Sequence, residues 1–398
     1  MRILHTVEFY APSVGGAQEV VRQISEHLVR RGHEVTVATT KLAVRNSQNL
    51  NGVRVEEFAV SGNAACGFAG ESMRYQDYLL YSNFDIMLNY AAQQWTADLA
   101  FPVLDRLPFR KVLAPCGFSG LLNPQYDRYF AGMSHVMRRY DHLVFHSSTY
   151  RDVQFAREHE VSHFAVIPNG ASEEEFAQID PTFRERHHIP EDVPLLITVG
   201  SHTGLKGHRL VIEAFRRAHI GRATLVIIGN ANWGSGCLPS CRWRALRGNV
   251  LSLGHKRVLL LNPPRADVVA AYHTADLFVF GSRVECSPLV LFEAMASRTP
   301  YITTACGNAE EITGWCQGGV VLPTRQGDDG MVDAPVESMA HAIEDLIGNP
   351  EKRNLLAEAG YEAWRHRFTW EKIVGSYEQL YRELCEHPNA DTLRRHGA

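Results

Sequence analysis

Short apolar runs alternate with segments of helical spacing along almost the whole chain, and this alternation is what most restricts the fold. In the first half "RILHTV" (2–7), "EVTVATT" (34–40), "FDIMLNY" (84–90), "RKVLAP" (110–115), "HLVFHS" (142–147) and "FAVIPN" (164–169) read as strands. In the second half "PLLITVG" (194–200), "ATLVIIG" (223–229), "RVLLLN" (257–262), "LFVFGS" (277–282) and "PYITTA" (300–305) repeat the theme. The second set is nearly continuous in apolar residues, as expected of strands covered on both faces. The intervening segments have helical periodicity. In "AQEVVRQISEHLVRRG", Val20, Val21, Ile24 and Leu28 share one face, arginines crowd the last turn and Gly32 follows as a candidate C-cap. Strands separated by helices predict right-handed parallel βαβ units and doubly wound sheets.

"IPNGASEEEF" interrupts both periodicities, with a Pro-Asn-Gly turn followed by three acids. The chain therefore divides into two α/β domains, 1–170 and 171–368. The amphipathic segment "TWEKIVGSYEQLYRELCEH" forms a last helix, about 369–388, expected to cross back onto the first domain. Two such domains joined by a short linker leave a cleft between the carboxyl ends of their sheets, where ligands of open α/β sheets bind.

A length of 398 residues suits two or three domains at about 150 residues each. A formal net charge of -4 and the lack of a long Lys/Arg block argue against nucleic acid as a partner. No run approaches the roughly 20 apolar residues needed to span a bilayer. The N-terminus lacks a small-residue cleavage site and reads as a first strand. Cytoplasmic residence is expected, with attachment at the inner face of a membrane left open. The eight cysteines are scattered and fit reduced thiols. Cys237 and Cys241, in "CLPSC", are the one close pair. A zinc site needs four ligands, no second pair or histidine cluster stands beside them in the sequence, and no metal is expected.

Three stretches carry chemistry. In "PSVGGAQEVV", Gly15 and Gly16 turn the chain from a strand into a helix whose free N–H groups favour an anion. This is not a G-x-G-x-x-G fingerprint, so a dinucleotide site is not expected. In "VGSHTGLKGHRLVIEAF", Lys206 stands at a strand-to-helix loop and can place a point charge on a diphosphate. In "ECSPLVLFEAMA", Glu285 lies in the loop after a strand, and Ser287 and Pro288 read as N-cap and first helical residue. Leu289 and Val290 then offer backbone N–H groups, and Glu293 falls on the second turn. A carboxylate in so apolar a run requires a partner, and two acids around a helix start could bracket a sugar nucleotide.

With these stretches in order, the chain resembles family 4 of the retaining glycosyltransferases, of GT-B fold, along nearly its whole length. "GGAQEVV…LVRRGHEVTVAT", "VIPNG", "GLKGHRLVIEAF" and "ECSPLVLFEAMASRTPYITTACGNAEEI" are similar to the family's N-terminal signature, interdomain linker, lysine-glycine loop and paired-glutamate motif. The resemblance implies transfer from a nucleotide-diphosphate sugar with retention, without a metal cofactor. It implies Lys206 on the diphosphate, Glu285 by the sugar hydroxyls, Glu293 on the ribose and Gly16 near the diphosphate. The acceptor would be a glycan or lipid-linked species, in cell-surface polysaccharide or glycoconjugate synthesis. Two departures stand out. Ser201 occupies the position where the family usually has an arginine, and His202 beside it could supply part of a charge. Cys116, in "APCGFSGLLNP", stands where a histidine usually lines the site. A third, smaller change is Cys286, where a glycine is common. The alternatives are a sugar-nucleotide epimerase of the same fold and a nucleotide-sugar-binding protein with impaired turnover.

Overall fold

The computed structural model describes residues 1–230 and 236–386. These form two compact units: residues 1–169 with the segment from Trp370 onward, and residues 170–369.

The first unit is built on a parallel sheet. Its strands are β1 (Arg2–Thr6), β2 (Glu34–Thr40), β3 (Val53–Phe58), β4 (Ile86–Tyr90), β5 (Arg110–Ala114), β6 (His142–Phe145) and β7 (Phe164–Val166). Their spatial order is β7-β6-β5-β4-β1-β2-β3, with the short Asn49–Leu50 strand pairing antiparallel on the edge of β3. Every other ladder is parallel. Helix α1 (Gly16–Arg30) follows β1 and buries Val20, Val21, Ile24 and Leu28, the face that the periodicity marks. It stops where Gly32 turns to a φ of 85°, a conformation glycine takes freely.

The last helix, α5 (Trp370–Glu386), packs in this same unit and not in the one that immediately precedes it. Its inner face buries Trp370, Ile373, Val374, Tyr377, Leu380 and Tyr381. Polar contacts fix its position. Arg31 bridges to Glu378 at 2.7 Å and to Glu371 at 2.7 Å, and the Tyr381 hydroxyl meets His5 Nε2 at 3.2 Å.

The second unit holds β8 (Leu195–Val199), β9 (Ala223–Ile228), β10 (Lys256–Leu261), β11 (Leu277–Phe280), β12 (Tyr301–Thr304) and β13 (Gly319–Leu322), all parallel, in the order β10-β9-β8-β11-β12-β13. Two apolar layers sandwich the sheet. One gathers Ile197, Phe278, Leu291, Phe292 and Trp364, and the other Leu196, Val211, Phe215, Leu225 and Ile343. Both units share the doubly wound order 3-2-1-4-5-6, which reverses direction beside its first strand and opens a ligand crevice at the carboxyl ends there. That point lies between β1 and β4 in the first unit and between β8 and β11 in the second. Among the described residues no helix is long and apolar enough to cross a membrane.

Candidate functional site

In the second unit the loops leaving β8 and β11 are pressed together by glycines. Gly207 has a φ of 66°, and a Cβ there would lie 1.7 Å from the Gly281 carbonyl oxygen. The Arg283 N–H donates to the Leu205 carbonyl at 2.8 Å, closing the same contact from the other side. The stem of Lys206 crosses bare Gly200, where a side chain would meet Lys206 Cγ at 3.0 Å.

This packing carries Lys206 Nζ to 2.6 Å from Glu285 Oε1, and the Ser282 hydroxyl donates to the same oxygen at 2.8 Å. Two residues separated by 79 positions thus form one charged pair at the topological switch point. Helix α4 (Leu289–Ala296) begins just beyond, with Pro288 in the cap position, one residue later than the sequence reading of Ser287 as cap. Proline brings no N–H to the start of the helix, so the first donors without an intrahelical partner belong to Leu289 and Val290. Ser287 is 9% exposed. The chain after β12 closes over this loop: the Asn308 N–H donates to the Cys286 carbonyl at 3.0 Å, and Gly307 leaves no room there for a Cβ.

Glu293 is 8% exposed, and its partner is Arg265, at 2.6 Å from Oε1. The same guanidinium holds Glu175 at 2.8 and 3.1 Å. Burial, and then the Glu293 charge, hold the nearby Tyr272 phenol well above its ordinary value.

Ser201 lies in the β8 loop, half-buried, and His202 beside it is 3% exposed. Its N–H donates to the Asn230 carbonyl at 2.8 Å, and its ring faces His208 and Cys237. Burial, then the Arg242 charge, lower its pKa, which works against the partial cation that the sequence suggested. The arginines near the loop stand on another side of it. Arg209 and Arg283 line a groove of about 830 Å³ with Arg216, Arg217, Arg244 and Arg247, and Arg283 is already engaged by Asp333 at 2.8 and 3.0 Å. A second expectation also needs correction. Cys237 and Cys241 do have histidines beside them, because β8 and β9 are adjacent and the loop after β8, with helix α2 (His208–Arg217), carries His202 and His208 to the pair.

In the first unit, Gly15 is extended, Gly16 opens α1, and no side chain caps the helix. A Cβ on Gly16 would meet nothing within 4 Å, so packing inside this unit does not require glycine there. Cys116 follows β5 in a run of left-handed residues, Cys116, Gly117 and Phe118, with φ of 59°, 96° and 47°. Non-glycine residues in this region are uncommon and concentrate at functional sites. Buried Asp152 pins the turn by accepting the Gly117 N–H at 2.8 Å. Cys116 Sγ lies 3.8 Å from the Tyr90 hydroxyl, which meets His146 Nε2 at 2.8 Å. Ser119 points its hydroxyl to Gln93 Oε1 at 3.5 Å. Sequence reasoning missed Arg265, Ser282 and Asp152, which sit on separate elements with no motif to mark them.

Comparison with known proteins agrees with this architecture. The family profile "Glycosyl transferases group 1" matches residues 180–363, and "Glycosyltransferase Family 4" matches residues 14–175. The chain is 23% identical over 426 residues to the D-inositol 3-phosphate glycosyltransferase of Xylanimonas cellulosilytica, covering 97% of this chain and 96% of that protein. It is 26% identical to the enzyme of the same name from Corynebacterium glutamicum, over 58% of this chain and only 54% of that protein. The chain thus spans about half the length of the Corynebacterium relatives it matches. Among solved structures, sucrose-phosphate synthase from Thermosynechococcus elongatus superposes with a TM-score of 0.78 at 18% identity, over 96% of this chain and 98% of that one. HepE of Anabaena, crystallised with UDP-glucose, superposes with a TM-score of 0.74 at 15% identity, over 96% and 100%. The two profiles meet end to end along the chain and the fold matches over nearly all of it, so this protein belongs to glycosyltransferase family 4, with the GT-B fold.

Proposed function

We propose that this protein transfers a sugar, with retention of anomeric configuration, from a nucleotide-diphosphate sugar to a glycan or lipid-linked acceptor. The Lys206–Glu285 pair at the switch point of the second unit carries the reading. A diphosphate leaving group gains negative charge as the glycosidic bond breaks, and preorganised donors there lower the barrier. Lys206 supplies the positive charge that meets it in our reading. Glu285, held by Ser282 through one oxygen, accepts from hydroxyls of the donor sugar. Donor binding then shares Lys206 between carboxylate and phosphate. The Leu289 and Val290 N–H groups and the positive end of α4 add to phosphate binding. Glu293 accepts from the ribose hydroxyls, with Arg265 holding it in place through their ion pair. The first unit, with Cys116 at its carboxyl end, is assigned the acceptor. HepE of Anabaena has been crystallised with UDP-glucose, which supports a nucleotide sugar as donor class.

The test is a panel of nucleotide sugars scored by thermal stabilisation. A ligand at 100 times its Kd raises stability by about 2.7 kcal/mol. The stabilising donor is then incubated with candidate acceptors, and the anomeric proton of the product is read by NMR. Stabilisation by one donor class and a product of unchanged configuration support the proposal. An inverted product removes retention. Interconversion of the sugar nucleotide without an acceptor identifies an epimerase.

A further inference from the structure

Four side chains converge where the loop after β8 meets residues 237–241: His202, His208, Cys237 and Cys241 each offer a ligand atom, all within 4.8 Å of one another. His202 is 3% exposed, His208 1% and Cys241 1%. None of the four has an assigned part in sugar transfer except His202, whose ring faces away from that task and toward this cluster. We propose that they form a closed tetrahedral site for one zinc ion or a cation of its class.

The distances carry the argument. Zinc bound at about 2.0–2.1 Å to nitrogen and about 2.3 Å to sulfur makes a tetrahedron with N···N edges of about 3.3 Å and N···S edges of about 3.6 Å. Here His202 Nδ1 and His208 Nδ1 are 3.2 Å apart, and Cys237 Sγ lies 3.5 Å from one and 3.7 Å from the other. These match three edges, one face, of such a tetrahedron, and Cys241 Sγ lies within 4.8 Å of each of the three atoms. Two imidazole nitrogens facing each other can instead share one proton, but that arrangement does not require two sulfurs to converge on the same point.

The scaffold fixes the ligands before any ion arrives. Cys237 N donates to the His202 carbonyl at 2.9 Å, and a Cβ on Gly236 would lie 1.8 Å from that same oxygen, so only glycine fits. Cys241 stands one turn after Cys237, its N–H donating to the Cys237 carbonyl at 2.9 Å at the start of helix α3 (Leu238–Leu251). The i and i+4 positions put both sulfurs on one helix face. His202 and His208 bracket the loop that presents Lys206. Two thiolates balance a dication, and an S₂N₂ set of this shape selects zinc among the common divalent metals. Four protein ligands leave no open position, so the ion is structural and clamps the Lys206 loop to α3.

The experiment uses the untagged full chain, purified in reducing buffer without chelator, with its thiols shown to be reduced. Elemental analysis should find about one zinc per chain. Replacement by cobalt(II) should give a sulfur-to-metal charge-transfer band and the intense visible bands of a tetrahedral ion. Cys237→Ser/Cys241→Ser should bring bound metal to background. His208→Gln should keep the charge-transfer band while shifting the visible bands. The cobalt spectrum of the unaltered protein decides even if the double variant fails to fold. Metal at background with reduced thiols overturns the proposal. So does a cobalt spectrum without sulfur character, or one that survives loss of both cysteines. A Cys237–Cys241 disulfide that persists in reducing buffer with no metal bound overturns it as well. None of these readouts depends on sugar transfer.

Discussion

The carboxyl ends of the two sheets share a topology and differ in chemistry. At the end of the second sheet stand ion pairs: Lys206 with Glu285 at 2.6 Å and Arg265 with Glu293 at 2.6 Å. The first sheet ends in groups that burial drives toward neutrality. Desolvation raises Asp152 to about 6 and Asp98 to about 6, and it lowers His5 to about 3. One doubly wound framework thus supports an end of ion pairs and an end of buried, hydrogen-bonded groups, whose two carboxyls at about 6 titrate closer to neutrality than ordinary aspartates do. The groups that differ lie on several kinds of element: Lys206 and Glu285 on loops, Arg265, Glu293, Asp98 and Asp152 on helices, and His5 on β1.

The largest effect expected from this contrast is at Lys206. Lys206→Ala removes the one side-chain cation of the loop that faces Glu285 and leaves that carboxylate with Ser282 alone. It should lower kcat/KM at least about a hundredfold, or ~2.7 kcal/mol of transition-state stabilisation. Arg283→Ala should be mild, because Asp333 already holds Arg283. Steady-state kinetics with one active donor and acceptor compare them. A near-normal Lys206→Ala enzyme beside a crippled Arg209→Ala or Arg283→Ala enzyme would move the phosphate site to the arginine groove.

Next comes the first end, tested by pH. The folded pKa of Asp152 is raised from 3.8 to about 6 by burial. Below about 3.8 it is protonated in both states, and its contribution is at its most favourable. Between 3.8 and 6 the unfolded chain releases the proton first, so stability falls as pH rises, and it levels off above 6. Asp152→Asn should remove about 2 kcal/mol of that fall, somewhat under the full value of the shift. Asp98 keeps its own share, and Glu378, whose pKa its partners hold down to about 2, gives a slope of opposite sign. The variant is therefore read as a difference from the unaltered protein, by denaturant unfolding at pH 4 to 7. Parallel curves would show that Asp152 is ionised throughout and that burial does not raise it.

Glu293→Gln should follow, weakening nucleotide diphosphate binding by about 1.5 kcal/mol, the low end for hydrogen bonds to charged groups. The low end applies because glutamine still offers an oxygen to the ribose and Arg265 keeps Glu175. Calorimetry measures it. Unchanged affinity would reduce Glu293 to a structural counter-ion of Arg265.

What the sequence made legible follows the same physics. Central strands such as β8 and β9 are apolar throughout because both faces are covered, and they were read within a residue or two. β3, "VRVEEF", was missed: it lies near the sheet edge with exposed and half-buried charges. The Val60–Asn63/Gly67–Gly70 hairpin and β13 were missed for the same reason, since partial exposure weakens the apolar signal. At the site, Lys206, Glu285 and Glu293 stood out because each sits on a turn or helix start with a local signature. Arg265 did not, although Glu293's place in an apolar run demanded a partner, because pairing across elements leaves no spacing rule. The histidines near Cys237 were hidden likewise: 35 residues separate His202 from Cys237, and only the adjacency of β8 and β9 joins them.

The smallest expected effect concerns Cys116, where the two ends differ most in side-chain character. The thiol lies in a left-handed turn, 3.8 Å from the Tyr90 hydroxyl, a distance at which sulfur is at best a weak partner. If the acceptor is held here mainly by backbone and neighbouring hydroxyls, the sulfur contributes shape more than polarity. Cys116→Ser keeps the size and the left-handed backbone and replaces a weak hydrogen bonder by a stronger one. It should change kcat/KM by less than about tenfold, or ~1.4 kcal/mol. Cys116→His restores the residue usual in the family, and its ring would meet a turn already fixed by Asp152 through Gly117. A loss above a hundredfold in Cys116→Ser, with nucleotide affinity unchanged, would make the thiol itself a catalytic residue. The first end would then carry chemistry as well as acceptor binding.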